Sequence, residues 1–208
     1  EVARLEDSAD APLFVRFVAL PDRSNPFPQE EWGAFTLSLR FLGRHGAPLP
    51  ASEGESAEDA CLIDIRVLVH AAESRRTGDV AAAHHAWARL LSQPPGLVVG
   101  CLSEVNAALM ERHWADDNNR PYPPVDLRDT YPTECLRLAR RFVEEAADPQ
   151  YFHKVPLRER GPDLVFGTLG RFGDRSDVEV LRRLGRAHRY SRYALDALRI
   201  LDSAAAAT

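Results

Sequence analysis

The sequence predicts an all-α protein built from stacked helical hairpins, in the manner of an α-solenoid, with short β-strands admitted in its N-terminal part. Three observations point there. Apolar residues recur at three- and four-residue spacing from Ser56 onward. Gly and Pro punctuate the chain at intervals that suit short antiparallel helices. Finally, capping residues such as Ser56, Ser176 and Asp177 stand where the apolar periodicity resumes. At 208 residues the chain is long enough for a substantial core, and no apolar run approaches the ~20 residues of a membrane span.

The reading from the N-terminus is the least decided. PLFVRFVAL (12–20) is rich in β-formers and fits a short strand or buried extended segment, and PDRSNPFPQ (21–29) is a proline-rich loop. In residues 33–43, Phe35, Leu37, Leu39 and Phe41 alternate as in a strand. Trp32, Phe35, Leu39 and Leu42 also lie at helical spacing, and helix is preferred because acids precede the run and Gly43 and Gly46 come after it. Residues 1–55 are therefore left as one unassigned segment, ending in the flexible connection GAPLPASEGES (46–56).

At Ser56 a capped helix begins, with Asp59 three residues on and Glu58 at the positive helix end. Cys61, Ile65, Leu68 and Ala72 form one face. Alternation of Ile63, Ile65, Val67 and Val69 with Asp64 and Arg66 keeps a strand reading of 61–69 open, but the cap and the unbroken run to Arg76 favour helix. A Gly78-Asp79 turn is expected next. Val80, Ala83, Trp87, Leu90 and Leu91 then make an apolar stripe that Pro94 and Pro95 stop. Val98, Leu102, Val105, Leu109 and Trp114 make another, so 56–115 is read as helical hairpins. DDNNRPYPPVDLRDTYP (116–132) is a proline-rich connection, and 133–208 a second helical unit. In the latter, Leu138, Phe142 and Val143 point inward from a helix over 134–149, and shorter helices are expected at about 162–172, 176–187 and 191–203.

The spacing Gly78, Ala83, Trp87, Leu90, Pro95 resembles the second half of a tetratricopeptide repeat (about 64–95), although His70 and Ser74 stand where large apolar residues are usual in that family. GPDLVFGTLGRFGDRSDVEVLRRLGRAHRYSRYALDALRIL (161–201) resembles HEAT-like repeats. Its stripes are Val165, Leu169 and Phe172; Val178, Leu181 and Leu184; and Ala194, Leu195, Leu198 and Leu201. Gly173 suits a left-handed helix end, and Ser176 or Asp177 can cap the next helix. The resemblances imply stacked hairpins that bind other macromolecules, hence an adaptor or regulatory module. A piece of a larger bacterial protein is expected, since the chain opens at Glu1.

Candidate chemistry is sparse. Cys61, Cys101 and Cys135 are too far apart for a metal knuckle and are read as core residues in a cytoplasmic protein. Adjacent His84 and His85 point about 100° apart on a helix and cannot share one ion easily. The run Asp116-Asp117-Asn118-Asn119-Arg120 lacks a second acidic helix to complete a cation site. GTLGRFG (167–173) comes after no strand and is not a phosphate loop. No metal, cofactor or catalytic set is therefore assigned, and an enzyme is disfavoured.

Charge is more telling. Residues 1–153 carry 15 basic and 24 acidic side chains, a net −9, whereas 154–208 carry 11 and 7, a net +4. Lys154 is the only lysine; such arginine use fits a GC-rich bacterial source. Arg182, Arg183, Arg186, Arg189, Tyr190 and Arg192 are the candidate binding surface: on one continuous helix Arg182, Arg186 and Arg189 share a face, with tyrosines beside them. Another protein is the expected partner, nucleic acid the alternative, and a membrane is not expected. An acidic inhibitor or immunity-type protein, binding through its first 153 residues, is a further alternative.

Overall fold

The structure is a computed structural model that describes residues 56–74, 77–110, 125–147, 161–187 and 189–206. Among them there are eight helices and no strand, so the fold is all-α. In chain order these are α1 (Ala57–Ser74), α2 (Thr77–Leu90), α3 (Pro95–Met110), α4 (Leu127–Thr130), α5 (Pro132–Ala147), α6 (Gly161–Phe172), α7 (Asp177–Ala187) and α8 (Ser191–Ala206). Residues 33–43, the run 116–120 and Trp114 lie outside the described residues. The chain divides into two compact units, Glu1–Ser92 and Gln93–Thr208.

In the first unit α1 and α2 pack as a hairpin. The competing strand reading of 61–69 fails because burial runs around the whole helix: Ile63, Ile65, Val67 and Val69 are buried, but so are Asp64 and Arg66 between them. Alternating apolar residues reflect a helix covered on every side. The buried Asp64 carboxylate accepts hydrogen bonds from Arg89 Nε at 3.0 and 3.2 Å and from its Nη2 at 2.6 Å, tying α1 to α2. The expected Gly78-Asp79 turn is not a turn: both residues lie in the first turn of α2, which begins at Thr77. Ala82, Ala83, Ala86, Trp87 and Leu90 form the buried face, while Val80 stands 47% exposed. Small alanines are what let two helix backbones approach.

Pro95 opens a helix as much as it closes one. It is the first residue of α3, where a missing N–H costs nothing, and the Pro94 carbonyl accepts from Leu97 and Val98 N–H at 3.1 and 3.3 Å. Read from sequence with the hairpins of 56–115, α3 instead packs against α5 and α6 and belongs to the second unit.

Within that unit α5 is the plainest amphipathic helix. Cys135, Leu138, Ala139, Phe142, Val143 and Ala146 are buried at helical spacing. α6 lies deepest, with eight of its 12 residues buried, and it contacts α3, α5 and α8. α7 contacts α5 and α8. Consecutive helices thus pair as α5 with α6 and α7 with α8, and the first and second members of each pair also touch, α5 with α7 and α6 with α8. Gly170 permits the last contact: a Cβ there would stand 3.3 Å from the Ala197 Cα and 3.2 Å from Ile200 Cδ1. Leu195, expected inward, is 46% exposed, and Ala197 takes its place beside Ala194 and Leu198. Cys61, Cys101 and Cys135 are all buried as free thiols.

Candidate recognition surface on α7

The α7 helix begins at Asp177, within a residue of the expected start at about 176, and side chains of the preceding turn brace that start. The Asp174 carboxylate accepts from Ser176 N–H at 2.7 Å and from its hydroxyl at 2.6 Å, while Asp177 Oδ2 accepts from Asp174 N–H at 2.8 Å. Asp177 thus satisfies the Asp174 N–H as the second residue of a capping box does, while the Asp174 carboxylate serves Ser176 and not Asp177. Gly173 precedes Asp174 without a left-handed backbone. What demands glycine is space, because a Cβ would lie 2.3 Å from the Leu169 carbonyl oxygen and 2.8 Å from Asp177 Oδ2. Arg140 of α5 reaches across and donates to Asp177 at 2.8 and 2.9 Å and to Asp174 at 2.9 Å. Hydrogen bonds from Ser176, with Arg140 beside it, hold the Asp174 carboxyl down to about 2. The turn before α7 is therefore anchored to α5 at a defined place.

From that anchor Leu181 and Leu184 turn inward, and Arg182, Arg183 and Arg186 are exposed. Arg182 and Arg186 are one turn apart, as are Arg183 and Arg186, so the three form one ridge with Glu179 at its N-terminal end. No hydrogen bond or ion pair engages these arginines among the described residues. Elsewhere in the unit arginines are matched to aspartates: Arg128 with Asp126 inside α4 and its cap, and, between elements, Arg140 with Asp174 and Asp177 and Arg171 with Asp129.

The rest of the predicted surface is divided. α7 ends at Ala187, so Arg189 is not on the same helix as Arg182 and Arg186 but in the turn after it. Its guanidinium lies 4.7 Å from the Tyr190 ring centroid and donates to the Tyr190 hydroxyl at 2.6 Å. Tyr190 is 6% exposed, packed against Phe142 and Phe166 with ring centroids 6.1 and 5.9 Å away. It is a core residue under a cation lid rather than a surface tyrosine. Tyr193 stacks on Phe166 at 6.1 Å, and Arg192 is exposed on α8.

Sequence inspection missed a polar hub inside the second unit. Asp126, at the end of the expected proline-rich connection, caps α4 by accepting from Arg128 N–H at 2.9 Å. It also takes Arg128 Nε and Nη2 at 3.0 and 2.6 Å, and Asn106 Nδ2 of α3 at 3.2 Å. Asn106 Oδ1 accepts from Leu127 N–H at 2.8 Å. Burial pushes the Asp126 carboxyl up, but the Arg128 and Asn106 hydrogen bonds outweigh it and lower it overall. Gly167 of α6 leaves room for Arg128, whose Nη1 would be 3.0 Å from an added Cβ. Beside the hub, burial and the Asp126 charge push the Cys135 thiol up to about 12, so it is no nucleophile. The Asp126 carboxylate and the Asn106 amide are both engaged by protein groups, and Arg171 of α6 lies 3.7 Å from Asp126, which makes the hub a joint between α3, α4 and α6. An Asp-Leu-Arg run in a proline-rich stretch carries no pattern that would have announced it.

His84 and His85 are both exposed on α2. The glycines of 167–173 serve close helix approach and the end of α6. Among the described residues no group of three His, Cys, Asp or Glu could hold a metal ion, and no helix is long and apolar enough to cross a membrane. No protein-family model, curated protein or solved structure matches this chain.

Proposed function

We propose that this chain is a macromolecular recognition module, an adaptor or regulatory domain of stacked helical hairpins, that binds another protein through the α7 ridge. The observation that carries the reading is the ridge itself: three exposed arginines without an ion pair among the described residues, on a helix whose start is clamped by Arg140. A rigidly anchored cationic helix face is suited to docking, because little order has to be gained on binding. The pairing of α5 with α6 and α7 with α8, with like members in contact, supports a reading as two stacked hairpins. Arg182, Arg183, Arg186 and Arg192 form the proposed surface. Arg189 supports it from the turn, and Tyr190 contributes from beneath as packing.

The test is capture from bacterial lysate, nuclease-treated and untreated, on immobilised wild type and on Arg182→Glu/Arg183→Glu/Arg186→Glu, with circular dichroism melts to verify folding. One discrete protein retained after nuclease by the wild type and lost by the folded variant is the expected result. Retention unchanged by the variant, or no discrete protein on either, would overturn the reading. Nuclease-sensitive material lost by the variant would place nucleic acid on the ridge instead.

A further inference from the structure

We infer that the partner presents an acidic helical segment to the α7 ridge, with carboxylates at i, i+4 spacing facing Arg182, Arg183 and Arg186 and a basic residue facing Glu179. The inference rests on the recognition reading above and names the chemistry of the partner.

Two polyanions suit a row of guanidinium groups: a nucleic-acid backbone and a run of carboxylates. Sequence-tolerant single-strand binders add aromatic platforms for the bases to their cationic groove. Here both tyrosines beside the arginines are committed to protein. Tyr190 is buried against Phe142 and Phe166 with its hydroxyl held by Arg189, and Tyr193 is stacked on Phe166. Phosphate contacts alone would remain. Three of them give a salt slope of only about −2 on a log–log plot, which is weak retention at physiological salt. The chain also carries a net charge of −5, which repels an extended polyanion at long range.

A short acidic protein segment meets neither obstacle. Its charge is local, and its carboxylates can take planar guanidinium groups in bidentate fashion. Spacing on α7 fits a helix best. Arg182 to Arg186 is one turn, as is Arg183 to Arg186, and carboxylates four residues apart on a facing helix repeat at the same interval. Glu179 gives the ridge a direction. It lies one turn before Arg182 and Arg183, it too is exposed, and it rejects a partner that is acidic along its whole length.

The probe is a fluorescein-labelled alanine-rich peptide of about 16 residues, long enough for appreciable helicity, with Glu at i, i+4 positions and a Lys one turn beyond one end. Fluorescence anisotropy on the full chain compares it with a labelled single-stranded oligonucleotide of equal charge. Saturable peptide binding is expected at about 0.05 M salt, weakened roughly tenfold or more in Arg182→Glu/Arg183→Glu/Arg186→Glu. A peptide with Lys in place of Glu should restore binding to that folded variant, and Arg137→Glu, an exposed α5 change, should leave the Glu peptide's binding within about twofold. Absence of saturable peptide binding overturns the inference, as does tighter binding of the oligonucleotide that the α7 variant abolishes. The recognition reading fails separately: a captured protein that depends on the ridge, combined with a peptide that does not bind, sinks the acidic helix alone.

Discussion

Gly167 and Gly173, six residues apart in the same short stretch, are glycine for different reasons and should respond differently to alanine. At Gly173 the obstruction is backbone and a fixed cap: Leu169 O and Asp177 Oδ2 stand 2.3 and 2.8 Å from the new Cβ. Gly173→Ala should cost about 1–3 kcal/mol in urea unfolding, because neither neighbour can yield. At Gly167 the neighbour is Arg128 Nη1, the one guanidinium nitrogen for which no bond to Asp126 is seen. The planar guanidinium, held on Asp126 through Nε and Nη2, has to give by a few tenths of an ångström as a whole, which the better helix propensity of alanine offsets, so Gly167→Ala should stay within about 1 kcal/mol of wild type.

Asp126 and Asp174 set the acid limb of stability. Both carboxyls titrate below their ordinary value near 3.8 in the folded chain. A depressed folded value means stabilisation that is complete above the unfolded value and is lost as pH falls through the folded one. Urea midpoints should therefore hold above about pH 5 and decline between about pH 4 and pH 2. Asp174→Asn should flatten part of that decline, which a series of unfolding curves across the interval would detect.

Among elements, the four-residue α4 illustrates what patterning cannot reveal. Proline spacing predicts only a connection over 116–132, yet its last part contains a joint. Asp126→Ala would leave the Arg128 guanidinium half-buried without its carboxylate and remove the α4 cap, a loss of about 3 kcal/mol by urea unfolding. Helices with one apolar stripe were legible: α5 buries Leu138, Phe142 and Val143, and α7 buries Leu181 and Leu184 and half-buries Val178, because a period of 3.6 maps directly onto one face. Those buried all round were harder. In α1 the apolar residues occupy every face, so alternation and helical spacing coexist, and only the cap and the length separate helix from strand. The start of α7 was legible to a residue, but the bonding around it was not: which of Asp174, Ser176 and Asp177 caps which N–H depends on geometry that spacing does not carry. The stop at Ala187 was legible, since a helix over about 176–187 was expected, but nothing in the spacing of Arg189 and Tyr190 told that the turn would carry the tyrosine into the core.

At the scale of the whole molecule, the division of charge foreseen from composition acquires a location. Within residues 154–208, which carry a net +4, Arg171 is matched by Asp129 from outside the segment and Arg199 by Asp196 within it. What is left exposed and unmatched among the described residues is concentrated on α7. Reversing Arg182, Arg183 and Arg186 should accordingly change the melting temperature by no more than a few degrees, since surface charges away from ion pairs contribute within about 0.5 kcal/mol. A large drop would assign the ridge to folding instead of binding.

The central claim, that α7 is the face that meets a partner, is tested most directly by hydrogen–deuterium exchange of the full chain with and without the protein captured by it. Recognition through the ridge predicts slowed exchange confined to peptides covering residues 177–187 and the turn at Arg189, absent in the triple Glu variant. Slowed exchange over α1 and α2 with α7 unchanged would contradict it and move the interface to the acidic part of the chain.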